Sequence, residues 1–179
     1  MHTGKQIVNH NSETIVATGF LATGSGEGLI RTTPLGSCVA VIAYDTTTKT
    51  GGIAHIMLPG RSPKKCKEGE NKYAQNAISN LINDLILLET STTNIEICLV
   101  GGANVLKKKY DNIGRDLIRS ILENLKQQHL IVSASSLGGY KRRNTSLQLS
   151  SGIVTMAVGD ESEQILYHFG VNSYPESLS

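Results

Sequence analysis

One cysteine stands where a turn meets an apolar run in "RTTPLGSCVAVIAYD", residues 31 to 45, and a histidine follows in "GGIAHIMLP", residues 51 to 59. Gly36 and Ser37 precede Cys38, so the local backbone can expose both the sulfur and its own N–H. A thiol near its free pKa of about 8.5 is only slightly ionised at neutral pH, and a neighbouring imidazole raises that fraction by ion pairing. The chemistry open to such a pair is acyl transfer. The thiolate adds to an amide or ester carbonyl, and protonated imidazole hands a proton to the leaving amine and then activates water. The developing oxyanion needs donors, for which the Cys38 N–H and the neighbouring Ser37 N–H are the natural choice. A third group should hold the other ring nitrogen. Thr32, Thr33 and Ser37 all carry hydroxyls nearby, and spacing does not choose among them.

Whether Cys38 meets His55 depends on hairpin register. If "CVAVIAYD" and "TGGIAHIML" pair antiparallel through a connector of even length, the two residues share one sheet face. A two-residue turn at 46–47 sets them directly opposite. A four-residue turn at 46–49 makes them diagonal neighbours, with Cβ atoms about 7 Å apart. The other cysteines carry blander readings: Cys98 in "IEICLVGG" is core, and Cys66 in "KKCKEG" is incidental to a polar loop.

The elements that must position the pair follow from periodicity. Residues 14–22 read as a first strand, "TGSGEG" as a turn, and "LIRTT" as a short second strand. "CVAVIAY" is nearly continuous in apolar residues, as a strand covered on both faces should be. "IAHIML" returns as another strand and stops at Pro59 and Gly60. Ala74, Ala77, Ile78, Leu81, Ile82, Leu85 and Ile86 recur at helical spacing, and Ile113, Leu117, Ile121, Leu122 and Leu125 mark a second amphipathic helix. Between them "IEICLVGGA" is an interior strand. "LIVSASS", "TSLQLS" and "IVTMAVG" are three closing strands. Strands grouped around two helices without strict alternation predict an α+β fold. Residues 1–160 are expected to form a single domain, and 161–179 a polar C-terminal tail.

Composition narrows the function. The 179 residues carry a formal charge of only +2, six Tyr, two Phe and no Trp, which argues against a nucleic-acid surface built on charge and stacking. An odd count of three cysteines without C-x-x-C, no signal-peptide-like apolar stretch and no run approaching a membrane span together predict a cytoplasmic protein without membrane insertion. Five scattered histidines lack ligand spacing, so no metal is expected. "TGSGEG" and "VGGA" match neither phosphate-binding fingerprint and read as turn glycines, so no cofactor is expected either. The basic runs "KKK" at 107–109 and "YKRR" at 140–143 read as solvated charge unless they flank the Cys38 mouth.

"TTPLGSCVAVIAYD", "GGIAHIMLP", "NKYAQNAI", "VGGANV", "NIG" and "LGG", in this order, closely resemble the CheD family of chemoreceptor glutamine deamidases over residues 15 to 158. The resemblance implies packed mixed β-sheets with helices on the outer faces, a fold shared with cytotoxic necrotizing factor toxins. It implies a cysteine hydrolase converting receptor glutamines to glutamates with release of ammonia. Cys38 matches the family nucleophile, His55 the catalytic histidine, and Thr32 the threonine that completes the triad. Methyl-accepting chemotaxis receptors are then the substrates. A receptor methylesterase side activity and binding to the phosphatase CheC come with the likeness. Pro34 departs from the family pattern, standing where glycine is usual and stiffening the turn. Further departures lie at Gln75, at Arg115-Asp116 and at Ser135-Ser136, away from the triad. The competing expectation is a non-catalytic module of the same fold that regulates a CheC-type phosphatase or a receptor by binding alone.

Overall fold

The computed structural model describes residues 5–7, 13–63, 69–107 and 112–171. In chain order, β1 (Lys5–Ile7), β2 (Glu13–Val16), β3 (Leu21–Ser25), β4 (Leu29–Thr32), β5 (Val39–Asp45) and β6 (Thr50–Ile56) precede the first helix, α1 (Ala74–Leu87). β7 (Ile95–Gly101), α2 (Ile113–Gln127), β8 (Ile131–Leu137), β9 (Arg143–Gln148), β10 (Ile153–Val158) and β11 (Gln164–His168) follow. A six-stranded sheet has the order β1-β3-β6-β5-β7-β8, and a five-stranded sheet the order β11-β10-β9-β4-β2. Both are mixed: β1/β3, β7/β8 and β2/β4 run parallel, the other pairs antiparallel.

β5 lies inside the larger sheet and every residue in it is buried, which accounts for its unbroken apolar run. Its alternate side chains feed two cores. Val39, Val41 and Ala43 face Ile78, Leu81 and Leu85 of α1 and Leu117, Ile121 and Leu125 of α2. Ala40, Ile42 and Tyr44 face Ile30, Leu147, Val154 and Phe169, the inner side of the second sheet. Fully burying one such Ile or Leu stabilises the fold by roughly 1.5–3 kcal/mol, so the period-2 pattern fixes which face each residue takes. The architecture is therefore α+β, with both helices covering the outer face of the six-stranded sheet and the second sheet closing its inner face.

Two sequence expectations need correction. The single strand read over 14–22 is two strands, β2 and β3, belonging to different sheets. The chain breaks between them at Gly19, whose φ of 81° no extended strand tolerates. Part of the expected C-terminal tail is ordered: β11 pairs with β10 and Phe169 is 2% exposed, stacked on Tyr44 at 5.3 Å between ring centroids. Polar residues on a half-exposed edge strand hid that element. The strand read as "IAHIML" also begins earlier: Thr50, Gly51 and Gly52 already belong to β6, where side chains of Tyr44 and Leu81 leave the two glycines no room for a Cβ.

Candidate active site

The hairpin register decides the central question. Val39 pairs with Ile56, Ala40 with His55 and Asp45 with Thr50, leaving a four-residue turn at 46–49. Cys38 continues that ladder one residue beyond Val39, so it stands diagonal to His55. Parity puts both on the inner face, where Cys38 packs against the inter-sheet core and the His55 side chain is fully buried. Of the two even turns considered, the longer one forms.

Three oxygens surround the imidazole. Nδ1 lies 3.3 Å from the Val16 carbonyl and 3.4 Å from the Thr33 hydroxyl, and Nε2 lies 3.3 Å from the Thr18 hydroxyl. A carbonyl only accepts, so the Val16 contact requires the proton on Nδ1. Nε2 then carries the lone pair, facing Thr18. The Thr18 hydroxyl also favours the Cys38 thiolate, against the larger effect of burial. Among the described residues no hydrogen bond joins the thiol to the imidazole.

Burial governs the protonation of both groups. It pushes the Cys38 thiol above its ordinary value, against weaker opposing contributions from Thr18 and the residue's own N–H. It pulls His55 below the ordinary imidazole value, with the Val16 carbonyl opposing. The resting pair is thus neutral thiol and neutral imidazole rather than an ion pair. This revises the sequence argument that proximity alone would ionise the sulfur: desolvation outweighs it. Cys98 is different in kind. Buried on the inner face of β7, its thiol is pushed up to about 12, as an inert core residue's should be. Cys66 lies outside the described residues.

Thr32 does not occupy the position that the resemblance implied. Its side chain points inward from β4, and its hydroxyl lies 3.5 Å from the Thr145 carbonyl and 3.4 Å from the Thr145 N–H, continuing the pairing of β4 with β9. Thr33, just past the strand end, donates its N–H to the same Val16 carbonyl at 3.1 Å and turns its hydroxyl onto Nδ1. Thr18 was missed altogether, because it was read into the middle of a strand. The signal was Gly19, the residue that ends β2 and turns the chain back over His55.

The turn that precedes Cys38 borders a cleft of about 610 Å³. Gly36 and Ser37 form one wall, Asn104 and Val105 another, and Arg115 of α2 and Tyr140 the rest. Backbone bonds knit these loops together: Gly102 N–H to Cys38 carbonyl at 2.8 Å, Ala103 N–H to Gly36 carbonyl at 2.8 Å, and Gly138 N–H to Gly101 carbonyl at 2.9 Å. The "VGGANV", "NIG" and "LGG" segments, dispersed in sequence, thus converge beside one turn. Tyr140 and Arg142 line the cleft, so part of the "YKRR" run lies beside the Gly36–Ser37 turn that leads into Cys38. Lys141 instead pairs with Glu161 at 2.8 Å. Arg143 reaches the Gly138 carbonyl at 2.7 Å while its backbone bonds Leu35 in both directions, at 2.7 and 3.0 Å, tying the Pro34 turn to β9. Among the described residues, the Ser37 and Cys38 N–H groups donate to no carbonyl outside the strand ladders. No group of three or more His, Cys, Asp or Glu side chains gathers for a metal among the described residues, and no helix there is long and apolar enough to cross a membrane.

The family model described as CheD chemotactic sensory transduction matches residues 57–158, a span that holds all three glycine segments of the cleft. A probable chemoreceptor glutamine deamidase CheD from Chlorobium luteolum is 35% identical over 161 residues, covering 89% of this chain and 80% of its own. One from Methanococcus maripaludis is 37% identical, covering 74% and 87% respectively. The chemoreceptor glutamine deamidase CheD of Thermotoga maritima is 30% identical over 151 residues, covering 84% and 95%.

Proposed function

The chain belongs to the CheD family, and from that premise we propose that it hydrolyses glutamine side chains of chemoreceptors to glutamate through a thioester on Cys38. One observation carries the reading: Cys38 and His55 share the inner face of one hairpin, and the turn that leads into Cys38 lines a cleft.

The sulfur attacks the side-chain amide carbon as the thiol proton moves to His55 Nε2. The oxyanion is met by the N–H of Cys38 and of Ser37, neither of which, among the described residues, donates to a carbonyl outside the strand ladders. The imidazolium returns its proton to the amide nitrogen, the C–N bond breaks, and ammonia leaves behind a thioester. Neutral His55 then takes a proton from water, whose oxygen attacks the thioester; the C–S bond breaks, glutamate forms and the thiol is restored. The Val16 carbonyl and the Thr33 hydroxyl hold Nδ1, so Nε2 keeps its lone pair toward the reaction. Thr32 supports the site indirectly, anchoring β4 to β9. A glutamyl methyl ester would follow the same route with methanol as leaving group. The cytoplasm is where receptor signalling helices meet such an enzyme, and CheC is a further partner suggested by family membership.

Incubation with receptor fragments followed by mass spectrometry tests this. Glutamine residues should gain the mass of amide-to-acid conversion, and Cys38→Ala should abolish it. In the same assay Thr33→Val should lose more activity than Thr32→Val; the reverse order would return the orienting role to Thr32. Undiminished turnover by Cys38→Ala removes the nucleophile. Tight receptor binding without conversion by the unmodified protein would favour the non-catalytic module.

A further inference from the structure

The cleft beside the Gly36–Ser37 turn is one-sided in charge. Arg115 and Arg142 both line it, and among the described residues no carboxylate does. Both arginines are exposed, and among the described residues neither guanidinium enters an ion pair. Neighbouring cations are committed elsewhere: Lys141 pairs with Glu161 at 2.8 Å, and Arg143 reaches the Ser136 hydroxyl at 2.9 Å and the Gly138 carbonyl at 2.7 Å. Asp116, next to Arg115 in sequence, pairs with Arg119 at 3.8 Å. Asp160 lines a second groove of about 300 Å³ that Arg142 shares, without pairing to it. Helix stability does not account for Arg115, which stands in the first turn of α2, where a basic side chain opposes the helix macrodipole. Both residues rise from anchored backbone. The Arg142 carbonyl accepts the Gly159 N–H at 2.7 Å, and Gly114 packs the start of α2 against the Gly102 carbonyl.

A cleft of about 610 Å³ is of the size that accepts a drug-sized molecule, so a substrate places more in it than one side-chain amide. We propose that Arg115 and Arg142 select receptor glutamines that have a carboxylate close by in sequence, an assignment that rests on the deamidase reading of the site. A guanidinium presents a rigid fork of donors that a carboxylate accepts in two parallel hydrogen bonds. A neutral amide meets that fork with one oxygen only, and a basic side chain not at all. Two such forks in a cleft lined by no acid also draw acidic segments in before contact and turn basic ones away. The arginines hold the substrate beside the reacting amide and carry no proton of the reaction, so their effect falls on binding.

Two receptor fragments that differ only at the residues flanking one glutamine, acidic in the first and alanine in the second, test the selection by mass spectrometry. The parent should convert the acidic fragment with the higher kcat/KM, and that advantage should shrink as ionic strength rises. Arg115→Ala and Arg142→Ala should each cut the advantage about two- to fivefold, the worth of one exposed ion pair, mainly through KM. Arg142→Lys should keep part of it, and Arg142→Glu should shift the preference toward a third fragment with lysine at the flanking positions. Should an alanine variant misfold, Arg115→Gln and Arg142→Gln make the same comparison. A parent that does not distinguish the acidic from the alanine fragment, or arginine variants that keep the parent's ratio between them, overturns the proposal. If the parent converts neither fragment, the deamidase reading fails, and fluorescence anisotropy of the same labelled fragments decides the selection by itself. Arginine-dependent preference for the acidic fragment then upholds it, and equal affinities overturn it.

Discussion

Neutral thiol and neutral imidazole, rather than an ion pair, are what burial imposes on Cys38 and His55. Under the proposed mechanism the thiolate is generated during attack, with His55 as general base, a step that contributes roughly 10²–10⁴-fold. The pH consequence has a definite sign. His55 titrates below the ordinary imidazole value of about 6.5, so its basic form persists as pH falls past that point. kcat/KM should therefore hold more than half its plateau at pH 6.5 and decline only below it. Because the thiol titrates higher than usual, Cys38 should also alkylate more slowly at neutral pH than a free cysteine. A kcat/KM profile half-lost above pH 7 would contradict the burial argument.

At the scale of elements, the turn at 46–49 and the glycines after β7 set the geometry. An even turn keeps Cys38 and His55 on one face, and four residues rather than two make them diagonal. On the other side of Cys38, Gly101 has φ 124°, and a Cβ there would stand 2.2 Å from the Cys38 carbonyl oxygen. Gly114 at the start of α2 is held similarly, its absent Cβ pointing 2.6 Å from the Gly102 carbonyl oxygen. Gly101→Ala should displace the Cys38 backbone, lowering both kcat/KM and the denaturant midpoint. Gly138→Ala, at φ 75° with open space around it, should cost only backbone strain of about 1–2 kcal/mol and spare far more activity. Equal losses in the two variants would mean that the Gly101 contact relaxes freely.

For the molecule as a whole, the site depends on two sheets staying in contact. Cys38 and His55 come from the six-stranded sheet, while Val16 and Thr33 belong to β2 and to the chain just past β4 in the other. Phe169 helps hold that contact from the far end of the chain, stacked on Tyr44 and edge-on to Tyr167 at 5.2 Å. Phe169→Ala should cost about 3–5 kcal/mol in urea unfolding while leaving kcat/KM of the folded protein near that of the parent at low temperature. Loss of activity without loss of stability would place Phe169 in the site instead.

The two helices, the buried central strand and the inward face shared by Cys38 and His55 were legible in the residues, because apolar periods of 3.6 and 2 dictate which side of an element is buried. The core role of Cys98 was legible for the same reason. Register was not, since two even turns satisfied the same pattern and only packing of the whole hairpin selected the longer. Nor was the break at Gly19: local apolarity runs straight through 14–22, and only the second sheet, by claiming β2, forces the chain to turn there and present Thr18. The choice of Thr33 over Thr32 at the imidazole belongs with these. Neighbouring threonines are alike in sequence, and it is the pairing of β4 with β9 that engages one and leaves the other for His55.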